Sequence, residues 1–315
     1  MTIKLKVVET IIAFSLLVFL VVWLKKRGIL RKEEGAGYAK LLTEIILPAV
    51  IFLQLASHSI NSRQFLAVLA MFIAGCLSLV LAWGAGKALK LERGKLGALI
   101  ITSAFGSSSL LGYAMIQFIF PNNPVAMEDA VLISELGVGL PIFILCPAIA
   151  MYYGCSEDPK TWFKGLSGYF KSPIFLAVVL GLLASPFDAL RNNLFFAPFL
   201  ESLAMAKGAL TFIACLILGL QLETRPIKGL YLLVLISVVI QMLIQPWAAG
   251  LLAGWFRLSL EQHEVLVLLS LMPSAVLGTV FATRYNCDGE TSAALTFINI
   301  LLSIFLIPLI FSLLV

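Results

Sequence analysis

Charge is what this chain has least of. Asp, Glu, Lys and Arg make up 12% of its 315 residues, about half the roughly 25% of an ordinary soluble domain. Histidine and cysteine are sparse too. The five cysteines, Cys76, Cys146, Cys155, Cys215 and Cys287, form no CxxC pair, which argues against zinc or redox motifs and leaves them as small apolar side chains. His58 and His263 are expected in outer loops, and neither has a second His, Cys or carboxylate at ligand spacing, so no metal site is expected. The chain has no Ser-His-Asp order, HExxH, phosphate-loop GKS or GKT, or dinucleotide glycine fingerprint. An enzyme is therefore not expected, nor a cofactor, nor ATP-driven transport by this chain alone. No stretch is polar enough for a soluble domain, since the longest connection covers only residues 152–171.

What fills the space is apolar. The chain is 61% hydrophobic with a mean hydropathy of +1.03, which makes it an all-α membrane protein. A membrane helix needs about 20 mostly apolar residues. Ten such runs lie near 7–24, 39–57, 64–86, 96–119, 129–151, 173–188, 197–220, 229–253, 263–283 and 291–313. The first is followed at once by Lys25-Lys26-Arg27, with no small-residue cleavage site, so it reads as a retained span and not a signal peptide.

Short cytoplasmic loops collect Lys and Arg. With ten spans and the N-terminus outside, the cytoplasmic loops hold Lys25, Lys26, Arg27, Arg31, Lys32, Lys40, Lys87, Lys90, Arg93, Lys95, Lys160, Lys164, Lys171, Arg225, Lys228 and Arg284. The other side holds only Lys4, Lys6, Arg63, Arg191 and Arg257, and Lys207 is left well inside a run. A wrong number of spans would scramble that segregation. The expected chain is thus multi-pass in the cell membrane, with both termini on the non-cytoplasmic side. Its net charge of +5 comes from these clusters and not from a basic stripe, so no nucleic acid is expected.

The chain echoes itself at an offset near 166 residues. Ser108-Ser109-Leu110-Leu111-Gly112 returns as Ser274-Ala275-Val276-Leu277-Gly278, and Phe52-Leu53-Gln54-Leu55 as Gly219-Leu220-Gln221-Leu222. Each half has five runs, and five is odd, so the second half enters the membrane upside down. Residues 1–154 and 155–315 are expected to be two inverted five-helix repeats, as in secondary transporters.

The fourth run holds Gly106, Ser107, Ser108, Ser109 and Gly112 at its middle, a poor composition for unbroken helix. Loosened backbone at membrane depth is tolerated only where protein buries it or a cavity wets it. A broken helix at a binding site is one reading; a small-residue patch for close helix packing is the other.

Residues 22–56, with Arg27-Gly28-Ile29-Leu30 and Leu47-Pro48-Ala49, resemble the auxin efflux carrier family in its prokaryotic form. The fourth run is similar to that family's Gly-Asn-Thr-x-x-x-Gly-x-Pro segment, and the ninth, from Met272-Pro273, to its Met-Pro end region. The resemblance spans nearly the whole chain. It implies that helices four and nine are broken and cross at the centre, that a mobile bundle carries the site past a scaffold, and that small organic anions are carried. Ser107 and Ser108 stand where Asn and Thr are usual, and Ala114 and Gly278 where crossover prolines are usual. A break here must therefore rest on glycine and serine, and helix four is expected to be straighter than in other members.

Half-helix N-termini attract anions, and hydroxyls at the breaks would add donors. The expected substrate site is therefore Ser107, Ser108, Ser109 and Gly112 on one side, with Pro273, Ser274 and Gly278 on the other. Any of these serines could instead bond to its own helix. Glu135 lies inside the fifth run, where a carboxylate is a functional hypothesis by default; it would couple transport to a proton, or else hold loosened backbone. Asn299 matches its place in the second half. Lys207 would meet the anion or snorkel to the surface. Gln54, at matched height with Gln221, joins the site, and Gln117, Gln241 and Gln245 could bond across helices.

The expected protein is a secondary transporter of a small organic anion such as a carboxylate, working by alternating access in the lipid bilayer. A carrier of the bile-acid and sodium type, or of the cation and proton type, is the alternative on a similar inverted-repeat fold. An intramembrane enzyme would need a nucleophile and base facing a cavity. The sequence leaves a homodimer open.

Overall fold

The computed structural model describes residues 3–31, 33–56, 64–121, 123–154, 170–187, 196–221 and 229–315. His58, Cys155, the side chain of Gln221 and the cations Lys32, Arg63, Lys160, Lys164, Arg191, Arg225 and Lys228 lie outside the described residues.

All regular structure among the described residues is helical. The principal helices are α1 (Ile3–Lys26), α2 (Gly37–Ala56), α3 (Gln64–Ala88), α4 (Arg93–Ala104), α5 (Ser108–Ile119), α6 (Pro124–Tyr153), α7 (Pro173–Ala184), α8 (Ala197–Gly208), α9 (Leu210–Gln221), α10 (Tyr231–Trp255), α11 (Leu260–Ser270), α12 (Val276–Arg284) and α13 (Gly289–Leu314). Helices follow from the composition, because backbone groups in hydrocarbon must be satisfied within their own segment. Among the described residues, seven runs are long and apolar enough to cross a membrane: α1, α2, α3, α6, α8 running into α9, α10 and α13. The other three expected runs fall short for physical reasons. Those at 96–119 and 263–283 are interrupted, and that at 173–188 yields the 12-residue α7.

Local chemistry sets the helix starts. Ser172 caps α7, its hydroxyl accepting from the Phe175 amide, with Pro173 in the first turn. Ser259 and Gln262 form a reciprocal capping box that starts α11 at Leu260. That box corrects one expectation: His263 lies within α11 and not in a loop, half-buried where α10 presents Gly250. Asp288 starts α13 by accepting from the Thr291 amide at 2.9 Å. Four π-helical turns widen the helices, at Leu42–Ile46, Ser108–Gly112, Glu135–Gly139 and Val239–Ile244. Such turns are frequent at functional sites.

The chain forms two compact units. The first contains Met1–Gln64, Ser109–Val131 and Gly168–Glu223. In it α7 runs along α2, and at the crossing a Cβ on Gly181 would lie 2.8 Å from the Leu55 Cβ. α1 packs on α9 and on the end of α5, where the rings of Phe14 and Phe118 meet edge to face at 5.8 Å. The Lys25 ammonium donates to the Leu220 carbonyl at 2.9 Å, satisfying a freed acceptor at the C-terminal end of α9.

The second unit contains Phe65–Ser108, Leu132–Ser167 and Thr224–Val315. Its centre is α4, buried at every residue from Leu96 to Ala104. The Leu140–Tyr153 part of α6 and helices α10, α12 and α13 pack around α4, with Leu99, Leu233 and Leu295 fully or nearly buried together. On the outer faces Val80, Trp255 and Phe305 are exposed. In water such faces would invite association; on a membrane-spanning helix they are the faces that meet lipid.

Candidate functional site: two interrupted helices joined at their breaks

The second unit holds both interruptions. α4 stops at Ala104, and Phe105 turns to extended backbone (φ −121°, ψ 115°) before α5 begins at Ser108. α11 stops at Ser270, and α12 begins after Ala275, also extended (φ −71°, ψ 128°). Sequence explains both. Pro273 has no amide hydrogen and pushes Met272 out of helical backbone. Gly106 has no side chain, and a Cβ there would sit 2.7 Å from the Met272 carbonyl oxygen.

Each break satisfies the other. The Ser107 amide donates to the Pro273 carbonyl at 2.8 Å, and the Ala275 amide to the Phe105 carbonyl at 2.8 Å, on either side of an antiparallel bridge pairing Gly106 with Ser274. An unbroken helix would have given the Thr102 and Ala104 carbonyls partners four residues on. The Ser274 hydroxyl now donates to Thr102 at 2.7 Å, and the Gln245 amide to Ala104 at 3.2 Å. The Gln241 amide donates to the Met272 carbonyl at 3.1 Å. Gln241 and Gln245 lie four residues apart at the π-helical turn of α10, so one widened turn serves both breaks.

Side chains extend the junction. The buried Asn299 amide of α13 donates to the Ser237 hydroxyl at 2.9 Å and also to that of Ser274. Hydroxyls of Thr102, Ser292, Thr279 and Thr296 continue as a chain at 3.1–3.2 Å. The Ser108 hydroxyl meets that of Ser134 at 2.7 Å, one residue before Glu135. Glu135 is buried and opens the third π-helical turn. Its Oε2 lies 3.1 Å from where a Cβ would sit on Gly139, so the missing side chain leaves room for the carboxyl. The cavity beside the junction, lined by Gly75, Ala104, Phe105, Gly137 and Gln245, measures about 10 Å³. That is at the lower limit for one water, so this cavity has no room for an organic molecule.

The expected site residues divide between the units. Ser107, Ser108, Pro273, Ser274, Gly278, Asn299 and Glu135 belong to the second. There the breaks bring Ser107 against Pro273, Ser274 against Asn299, and Ser108 beside the start of the Glu135 turn. Gly278 sits past the break, inside α12, where a Cβ would meet the Ile101 Cγ2 at 2.8 Å. Gln54, Ser109, Gly112 and Lys207 belong to the first unit. Gln54 is buried in α2, and Lys207 is half-buried in the last turn of α8. Ala114 lies buried within α5, and the break falls earlier, where Gly106 allows backbone contact. Cys146, Cys215 and Cys287 are buried free thiols, as small apolar residues should be. Reading the sequence gave no role to Thr102 or Ser237 and no partner to Gln241 or Gln245. Single hydroxyls in apolar runs are too common to stand out, whereas two glutamines four apart in one span were a usable signal.

A multi-pass helical membrane protein with two interrupted helices joined at a buried point has the make-up of a membrane carrier. The chain matches the family described as Membrane transport protein over residues 6–158 and 160–311, and it belongs to that family, the one that includes the auxin efflux carriers. It is 25% identical over 305 residues to an "Uncharacterized transporter" of Methanocaldococcus jannaschii, covering 96% of each chain. It is 23% identical over 306 residues to an "Uncharacterized transporter" of Methanothermobacter thermautotrophicus, again covering 96% of each.

Proposed function

We propose that this membrane transport protein is a secondary transporter of a small organic anion such as a carboxylate. It has ten spans in two inverted repeats, 1–154 and 155–315, with both termini on the non-cytoplasmic side. The observation that carries the reading is the Gly106–Ser274 junction, where two interrupted helices complete one another's hydrogen bonds. A junction held by a few backbone and amide bonds can be exchanged for bonds to a substrate with little change in count, which suits alternating access. Ser107, half-buried at the break, supplies a hydroxyl to the anion, with Ser108 and Ser109 at the start of α5. Glu135 takes and releases the coupling proton.

Proteoliposomes should take up a labelled dicarboxylate under an imposed pH gradient. Replacing Ser107 and Ser108 together by Ala should raise the half-saturating concentration while leaving the unfolding temperature within a few degrees; an unchanged concentration dependence refutes the assignment.

A second coupling ion has one observation in its favour. Gln241 Oε1, Gln245 Oε1 and Asn299 Oδ1 are buried without a hydrogen-bond partner among the described residues, and hard cations take oxygen ligands. Uptake that follows a sodium gradient and ignores a pH gradient would select this coupling instead.

A further inference from the structure

The first unit contains a cavity of about 260 Å³ lined by Lys207, Gln117, Asn123, Pro124, Phe120 and Met127, among others. One water needs only about 10–15 Å³ of such space, so this cavity has room for a small organic group. Lys207 comes from α8, Gln117 from α5, and Met127 from the first turns of α6.

Among the described residues the one charged group facing it is a cation. Lys207 is the one Lys or Arg placed well inside an apolar run, and among the described residues it has no hydrogen-bond or ion-pair partner. An unpaired cation partly withdrawn from water favours a ligand that neutralises it. Gln117 Oε1 is buried and also lacks a partner, and a carboxamide can turn over to present two N–H donors instead. The Asn123 Oδ1 accepts from the amides of Val125 and Ala126 at 3.1 and 3.2 Å, which leaves its NH₂ as the free end. These bonds also cap α6, so its N-terminus is not the reason for the site. Among the described residues, no carboxylate lines the cavity. An ammonium, two amides and no acid describe a receptor for negative charge. The walls of Phe120, Pro121 and Met127 fit an apolar tail attached to it.

We infer that this cavity binds a single anionic group, a carboxylate or phosphate, on an amphiphilic molecule, with Lys207 as its counter-ion and Gln117 and Asn123 as donors. The charge is soluble acid or lipid headgroup, and the two sources share this chemistry. The site lies in the first unit and does not depend on the junction being the transport site.

The test uses full-length protein carrying ¹³C-methyl methionine in nanodiscs. Met127 lines the cavity and Met272 sits at the junction, so each site has its own reporter. In phosphatidylcholine discs, butyrate should shift the Met127 signal with saturation; if instead only discs containing phosphatidylglycerol shift it, the ligand is the lipid headgroup. Lys207→Gln should weaken whichever binding is seen at least about tenfold, and Lys207→Arg should keep it within about threefold. Gln117→Leu should fall between. Thermal unfolding checks that each variant is folded. A Met127 signal that neither butyrate nor phosphatidylglycerol moves, or one that Lys207→Gln leaves unchanged, overturns the site. A shift at Met272 alone would overturn this site and leave the junction reading standing.

Discussion

The amide of Ser107 donates to the carbonyl of Pro273 across 166 residues of chain at 2.8 Å. With the return bond from Ala275 to Phe105 it lets two helices stop in mid-run without leaving those backbone groups to hydrocarbon, where each would cost several kcal/mol. Proline makes one break and glycine makes room for it in the other.

The two glycines of that region make unequal demands. In Gly106→Ala the new methyl meets the Met272 carbonyl oxygen at 2.7 Å, and backbone cannot step aside cheaply; in Gly278→Ala it meets the Cγ2 methyl of Ile101 at 2.8 Å, a side-chain group that can yield by a small shift. Overpacking costs about 1–3 kcal/mol. Gly106→Ala should lie at the top of that range and Gly278→Ala lower within it, measured by thermal unfolding in detergent. Equal losses would mean that the junction is not held by close backbone approach.

Gln241 and Gln245 are placed as structural donors to freed carbonyls. Gln241→Leu and Gln245→Leu should each cost roughly 1–3 kcal/mol, the penalty of a buried carbonyl left without a partner. Gln117→Leu is the control, because its Oε1 has no partner to lose, and it should be neutral or stabilising. The ranking is read from unfolding midpoints in a denaturant series.

Asn299 holds Ser237 and Ser274 with one amide. Asn299→Ala and Ser274→Ala should therefore be non-additive, with a coupling of about 0.5–3 kcal/mol in a double-mutant cycle. Additive losses within about 0.3 kcal/mol would show that the two residues act separately.

Glu135 has its carboxyl over Gly139. If it carries the coupling proton, Glu135→Gln should make uptake independent of pH. Gly139→Ala, which crowds Oε2 at 3.1 Å, should shift the pH profile and not abolish it. Uptake by Glu135→Gln that keeps the wild-type pH profile would return the carboxyl to holding the π-helical turn.

Sequence alone fixed what depends on solvent. Apolar runs of about 20 residues must be helices in a bilayer, because burial of unpaired backbone is costly however the helices pack. The Gly and Ser at 106–109 and the Met272-Pro273 step also marked where helix would fail. What no sequence pattern could supply was the partner of each freed group. That Ala104 leans on Gln245, Met272 on Gln241 and Thr102 on Ser274 is decided by which helices lie beside the breaks. The same holds for Ala114: sequence comparison put weight on its missing proline, yet the break needs only that two backbones touch at Gly106. Lys207 could have snorkelled on sequence grounds. Only packing sets it, with Gln117 and Asn123, around one cavity, because a charge takes its role from the groups that surround it in space.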